Sequence, residues 1–395
     1  MSCLSNFTSM FRLLQKPYQK NFLVFIDYNI IILGGVMSFY KEFEVDDSAV
    51  GEWLDWGGLT RPAIMEQKDH SLFSVFSYLP WQNDSFAKEV EFPEFCRGWG
   101  FWSERHHTLS EDKDYIALFW NPFTTKSNKY IENTLDMRVH KEDYLAYFEY
   151  VAAKFGNLLQ QITTARLLEY QNLLDFLSFS LSVGDRYVEM PPTPLALDFY
   201  ISDPNKFIFS ANDIFINDKR VLVVTLPSLP SPHKLFEYFA GVPYRYVRRL
   251  LTFNEEETEK DMEKYLGGWC SGRKTTLDRI KQDITGNLNG YCHNGFIFHL
   301  SEKEYDNFRI YVTNVLTDME LPFIIEQYNL KDVWWGSLPG MYLANITPPI
   351  VGFSSVTDLL IQKPLLIQGQ QNQFQPLIDN LNGEGRTENV QTGQI

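Results

Sequence analysis

With 395 residues, 44% of them hydrophobic and 15% aromatic, the chain has ample material for a globular core and, as a length prior, for two or more domains. Its 35 Lys plus Arg against 50 Asp plus Glu leave a formal charge of −15, which argues against a general binder of nucleic acid or anionic lipid, because both need a basic face. Cys3, Cys96, Cys270 and Cys292 lie far apart and form no CxxC, so neither a disulfide framework nor a thiolate zinc motif is indicated and a reducing cytoplasm is the expected compartment.

Residues 1–36 differ from the rest. Phe22–Met37 is apolar, but Asp27 and Asn29 interrupt it. An Asp in mid-span costs roughly 2.5–3.5 kcal/mol on insertion scales, and the run is barely long enough to cross a bilayer. No signal-peptide cleavage pattern follows. Leu33-Gly34-Gly35-Val36, just before Met37, is what a purine-rich ribosome-binding site gives when read as codons. The expectation is therefore a non-native or membrane-proximal extension over 1–36, with Met37 the natural start.

Gly51–Gly57 opens the ordered region, and β-rich sequence follows at Ser71–Leu79 and Tyr115–Trp120. Between these lie the Trp-rich Cys96–Trp102 and then Glu104-Arg105-His106-His107. The histidine pair invites a metal reading, but adjacent side chains point apart on a helix or a strand, and a solvated loop is expected. Glu142–Ser182 carries the longest helical signal. Tyr144, Phe148, Val151, Phe155, Leu158 and Ile162 form one stripe, and Leu167, Tyr170, Leu174, Leu177 and Leu181 resume it. The step of five between Ile162 and Leu167 marks a phase slip or bend near Thr163-Thr164. Unbroken, the helix would be about 60 Å long. It reads as a core-spanning helix or helical hairpin.

Met190–Pro194 must run extended, and Leu195, Leu197, Phe199 and Ile201 then alternate as on a strand. Ile214–Ile216 and Arg220–Leu226 flank Asn217-Asp218, a hairpin signal. Pro227, Pro230 and Pro232 mark a soft boundary, giving an N-terminal α+β domain over 37–232 and a second over 233–365. The second begins with a short helix, His233–Ala240, then a basic aromatic strand, Tyr244–Arg249. Asn254-Glu255-Glu256-Glu257 reads as a capping box for a helix running to about Leu266. Gly295–Leu300 as strand, the Tyr305–Met319 stripe as helix and Pro322–Glu326 as strand make a β-α-β unit like half of a ferredoxin-like fold. Trp334–Gly340 is an apolar, aromatic corner ending in a Pro339-Gly340 turn. Residues 366–395, rich in Gln, Asn and Gly, are expected to be a disordered tail. The fold class is thus α+β, with mixed or antiparallel sheets, a long helix and the β-α-β unit.

Chemistry is sparse. Gly267–Thr275 nearly spells a phosphate-binding loop, but Arg273 stands where the lysine belongs, Lys274-Thr275 are displaced by one, and an acidic helix rather than a buried strand precedes it. Cys292, His293 and His299 suggest no complete ligand set. No catalytic, cofactor-binding or metal-ligating residue is assigned.

Several segments, in order, nevertheless resemble a family. Trp53-Leu54-Asp55-Trp56 with Lys68-Asp69 is similar to an opening "LLNW … NKDGS" element. Asp175–Ser182, Val188–Pro191 and Leu197-Asp198 resemble "LLSYLHS … VPxxPxYLD". Val223–Pro230, Leu235 and Tyr244–Arg249 resemble "SIxxFP … L … YRWxxRF". Trp269 with Arg273-Lys274 resembles a "W…R" element. Glu326, Asn329 and Gly336–Gly340 resemble "E…N…LGSLPG". From about Trp53 to Leu360 the chain resembles the N-terminal region of the VirB/TrbE/CagE family, the ATPases of type IV secretion and conjugal transfer. The segment between Ile284 and Gly295 is shorter than the family's.

The resemblance implies a cytoplasmic protein peripheral to the bacterial inner membrane. It implies docking to inner-membrane subunits of the secretion system and oligomerisation with its own kind. A separate ATPase chain is a further partner it allows. The family's Walker-bearing core lies beyond "SLPG". ATPase activity, ATP and Mg are therefore implied only for a C-terminal domain, and this stretch is expected to be a non-catalytic assembly region. Trp334-Trp335 and Arg245–Arg249 are its expected contact points, the latter for an acidic partner or lipid head groups. The alternative is a self-sufficient nucleotide-binding enzyme using Gly267–Thr275.

Overall fold

A computed structural model describes residues 43–44, 54, 56–79, 98–121, 141–184, 188–191, 197–202, 205–210, 212–227, 233–252, 288–341, 350–353 and 356–361. The extension over 1–36, the helix expected over 254–266, the loop at 267–275 and the tail after 365 lie outside these residues. The chain divides into Met1–Tyr40 and Lys41–Ile395, and the description below concerns the second unit.

Fourteen strands among the described residues form one sheet, and every recorded pairing is antiparallel. The strands are β1 (Phe43–Glu44), β2 (Trp56–Arg61), β3 (Ile64–Gln67), β4 (Leu72–Tyr78), β5 (Gly100–His107), β6 (Asp112–Trp120), β7 (Ala165–Leu167), β8 (Phe207–Phe209), β9 (Ile214–Ile216), β10 (Lys219–Thr225), β11 (Tyr244–Thr252), β12 (Leu288–Leu300), β13 (Ile324–Ile325) and β14 (Ile350–Phe353). The order is β1-β8-β9-β10-β12-β11-β5-β6-β4-β3-β2. In addition β13 pairs with β10, β14 with β12 and β7 with β4. The chain is α+β, with a mostly antiparallel sheet.

Helices cover both faces. On the first, α1 (Lys141–Ile162), α4 (His233–Phe239), α5 (Glu302–Asp318) and a 3-10 turn (Val356–Leu359) bury Phe148, Phe155, Phe239, Phe308 and Val356 against Phe101, Leu118, Leu222 and Phe298. On the second, α2 (Tyr170–Ser182), α3 (Leu197–Ser202) and α6 (Leu330–Gly336) bury Leu174, Leu177, Ile201 and Trp334 against Trp56, Val75, Val223 and Ile297. A sheet covered on both sides needs strands that are apolar on both sides. That is why β4 reads Leu-Phe-Ser-Val-Phe-Ser-Tyr and not as an alternation.

Several expectations are corrected. Glu142–Ser182 is not one helix. α1 ends at Ile162, β7 adds to β4, and α2 starts at Tyr170. The step of five after Ile162 is the place where the chain leaves one face of the sheet, passes its edge as β7, and enters the other face as α2. Leu197–Ile201 is helix, not strand. Leu197 and Ile201, four apart, are buried, whereas Phe199 and Tyr200 are exposed, so the real period is four. The expected boundary at Pro232 divides no sheet, because β10, from before it, pairs with β12, and β11, from after it, pairs with β5.

The Asn217-Asp218 hairpin forms as read. Both residues have positive φ, 52° and 63°, as a type I′ turn requires, and β9 and β10 pair across it. β12 and β13 flank β10, each antiparallel to it, and α5 joins them. Among the described residues no helix is long and apolar enough to cross a membrane.

Candidate functional site: a buried arginine junction

Polar residues in the middle of a sheet covered on both faces must find partners inside the protein. β5 shows how. Glu104-Arg105-His106-His107, expected in a solvated loop, are all buried within the strand. Strand alternation sends Arg105 and His107 to one face and Glu104 and His106 to the other. On the first face Arg105 makes a two-pronged pair with Asp114, Nε and Nη2 at 2.7 and 2.8 Å from the carboxylate, and stacks over the Phe236 ring of α4. His107 contacts Asp112 at 2.5 Å and the Ala240 carbonyl at 2.9 Å.

The second face carries the larger construction. Arg245, on β11, lies opposite His106 in the ladder and is fully buried. Its Nε donates to Glu104 Oε1, its Nη1 to the Ser180 carbonyl at 2.7 Å, and its Nη2 to the Ser337 carbonyl. Ser180 is in the last turn of α2, and Ser337 follows α6 directly. One guanidinium therefore joins the C-terminal ends of two helices, where unpaired carbonyls and the negative end of the dipole both favour a cation. Glu104 balances the charge. It also accepts from Ser180 Oγ at 3.0 Å and contacts His106 Nε2 at 3.0 Å. His106 in turn stacks on Phe179 of α2, ring centres 4.2 Å apart.

Four residues further along β11, on the same face as Arg245 and Val247, Arg249 donates to the Gly336 carbonyl and, at 3.4 Å, to that of Met341. Trp56 of β2 donates from its indole N–H to the Pro339 carbonyl at 2.7 Å. The corner after α6 is thus held by its main-chain oxygens through three side chains, Arg245, Arg249 and Trp56. Gly340 completes it with φ +82°. A Cβ there would meet the Gln67 side-chain amide, which would have to move aside, and the positive φ favours glycine in any case. Nearby, Lys68 reaches Asp198 of α3 at 2.6 Å.

The electrostatics follow from burial. Burial alone would raise the Glu104 carboxyl, but Arg245, His106 and Ser180 outweigh it and hold the group below the usual carboxylate value. Burial lowers His106, with Arg245 and Lys113 adding to the effect, against the pull of Glu104. His293 of β12, opposite Arg249 in the ladder, is pushed down to about 3 by burial and by Arg249 and Arg245. His299 is pushed down to about 3 by burial and by Lys219 and Arg245. Asp198 is raised by burial, although Lys68 opposes this.

No family model matches the chain, and no curated protein is significantly similar to it. The geometry itself must carry the reading. Arg245 commits Nε, Nη1 and Nη2 to protein oxygens, so the junction is built to fasten a corner of chain. The expected contact points change accordingly. Arg245, Arg248 and Arg249 are interior, and Arg248 donates from Nη1 to the Asp358 carbonyl at 2.8 Å, so this cluster meets neither lipid nor an acidic partner. Trp334 is fully buried in the core, and only Trp335 beside it is partly exposed.

Among the described residues no group of three or more His, Cys, Asp and Glu is placed to hold a metal ion. His106 and His107 face opposite sides of the sheet. His293 and His299 come from one strand and lie on the same face as Arg245. The loop at Gly267–Thr275 lies outside the described residues. Sequence reasoning missed the Glu104–His106–Arg245 network. One signal was present. Charges at i and i+2 in a run bounded by Phe101-Trp102 and an apolar hairpin partner share a strand face, and that face then needs countercharges.

Proposed function

We propose that this chain is a non-catalytic docking and assembly region of a type IV secretion or conjugal-transfer ATPase. In this reading it works on the cytoplasmic side of the bacterial inner membrane, bound to small membrane subunits and to copies of itself. The observation that carries the reading is a convergence. Segments that resemble the family are scattered over nearly three hundred residues, yet four of them make one set of contacts. Trp56 from the opening element, Ser180 from the second, Arg245 and Arg249 from the third, and Gly336–Gly340 from the last meet at the junction. Lys68 and Asp198, which also belong to those elements, pair beside it.

The β12–α5–β13 unit supports the same reading. In this reading the unit, with β10 between its two strands, is half of a ferredoxin-like fold. The junction's role is mechanical. It fixes the Gly336–Gly340 corner against the sheet, so that a partner docking there would meet it in a set orientation.

The test is made in the native host. A tagged chain is extracted from membranes in mild detergent, and transfer of DNA or protein is measured after deletion of the gene. The reading expects the inner-membrane subunits of a secretion apparatus to co-purify, and transfer to stop on deletion and return with the wild-type gene. Normal transfer without the gene, and a protein that co-purifies with no such subunit, would overturn it. ATP binding by the purified chain that is lost on Lys274→Ala would replace it with a nucleotide-binding enzyme.

A further inference from the structure

Where the chain crosses the edge of the sheet it leaves an opening. A cavity of about 430 Å3 lies between the middle of α1, the strand β7 and the start of α2. That size is within the range of ligand sites. Its walls include Ala152, Ala153 and Gly156 of α1, the three residues of β7, and the amides Asn157, Gln160 and Asn172.

Among the described residues β7 has an open side. Leu79 donates to the Thr164 carbonyl at 3.1 Å and Leu168 to the Val75 carbonyl at 2.8 Å, which makes these the hydrogen-bonded pairs of the β4–β7 ladder. Bonded and non-bonded pairs alternate in an antiparallel ladder. Arg166 therefore also faces β4 with its main chain, and the N–H and C=O of Ala165 and Leu167 are directed away from it. Among the described residues β7 pairs with no strand except β4.

We infer that this groove binds an extended segment of a partner polypeptide, which adds as a strand to the free edge of β7 and lies along α1. Three features specify the ligand. The outward main-chain groups of Ala165 and Leu167 offer the donor and acceptor pattern of a sheet edge, which another backbone completes. Ala153 is small and exposed, so the α1 wall of the groove is low where the segment would lie. The charge is balanced as well. In a chain of net charge −15, these walls carry one cation, Arg166, one anion, Glu169, and three amides. Amides match the neutral, paired donor and acceptor of a peptide group and favour neither an anion nor a cation. The inference is independent of the secretion reading.

A phage-displayed library of random decapeptides, panned against the full-length chain, supplies the probe. Selected peptides are then measured by fluorescence anisotropy. The expected peptides have alternating β-branched residues and no central proline. N-methylation of every second amide weakens binding more than tenfold, and methylation of the intervening amides does not. Ala153 is exposed, so Ala153→Trp fills the groove without entering the core, and it reduces affinity more than tenfold with unchanged circular dichroism. Asn157→Trp, at a second exposed position, does the same. The inference is overturned if panning enriches no peptide, if both tryptophan variants bind selected peptides as tightly as wild type, or if methylation shows no alternation.

Discussion

Replacing Arg245 with methionine keeps much of the side chain's length but removes its charge and donors. Glu104 is then left fully buried without its cation, and the Ser180 and Ser337 carbonyls each lose a charged donor. Breaking a buried pair from one side costs about 3–5 kcal/mol. A stranded buried acceptor costs roughly 1–3 kcal/mol more. Because these contributions share one site they do not simply add, and a loss of about 4–7 kcal/mol is expected. That is a large part of the ~5–15 kcal/mol typical of a folded domain.

The assay is urea unfolding followed by tryptophan fluorescence, since Trp56, Trp102 and Trp334 all lie on this face. With a slope of about 3 kcal/mol per molar, a 4 kcal/mol loss moves the midpoint down by roughly 1.3 M. The double variant Glu104→Leu with Arg245→Met removes both charges, and its loss should be smaller than the sum of the single losses by about 2–3 kcal/mol. A loss below about 1 kcal/mol for Arg245→Met, or single losses that merely add, would refute the argument that the pair is what fastens the corner.

Acid should act through the buried histidines. His106, His293 and His299 have folded values below the ordinary 6.5, so between about pH 6.5 and their folded values the unfolded chain holds protons that the native chain does not. Their contribution is complete above pH 6.5 and is lost as pH falls, by up to about 1.4 kcal/mol per pH unit for each group. Urea midpoints between pH 7 and pH 5 should fall accordingly, and His293→Gln with His299→Gln should flatten the slope; an unchanged slope would count against it. Gly340→Ala places a Cβ against Gln67 at positive φ and should cost at least about 1–2 kcal/mol, read from the same midpoints. Gly295→Ala should cost more, because its Cβ would meet the Val224 carbonyl at 2.5 Å, a main-chain atom that cannot swing away. If it unfolds at the wild-type midpoint, the close approach of β10 and β12 is not tight.

Local signals carried far where the physics is local. The Asn217-Asp218 hairpin, the His233–Phe239 helix, the Tyr305 stripe of α5 and the strand character of Tyr244–Arg249 all depend on periodicity and turn chemistry within a few residues. The phase slip after Ile162 was visible too, as a step of five. Its meaning was not, because passing from one face of a sheet to the other is defined only once the sheet exists. Leu197–Ile201 misled for a related reason, since five residues fit a period of two as well as a period of four until burial chooses.

The amino-acid sequence by itself determined the α+β class, the supply of apolar strands and the order of short elements. Only the tertiary structure decided where the charges go. Glu104, His106, Arg245 and Arg249 read as surface or loop residues, because polarity in a linear chain is ordinarily a sign of solvent. Long-range pairing of β5 with β11, and of both with the ends of α2 and α6, places each charge beside an opposite charge or a carbonyl. A buried charge is tolerated only when such partners converge on it, and convergence across more than two hundred residues is a property of the fold.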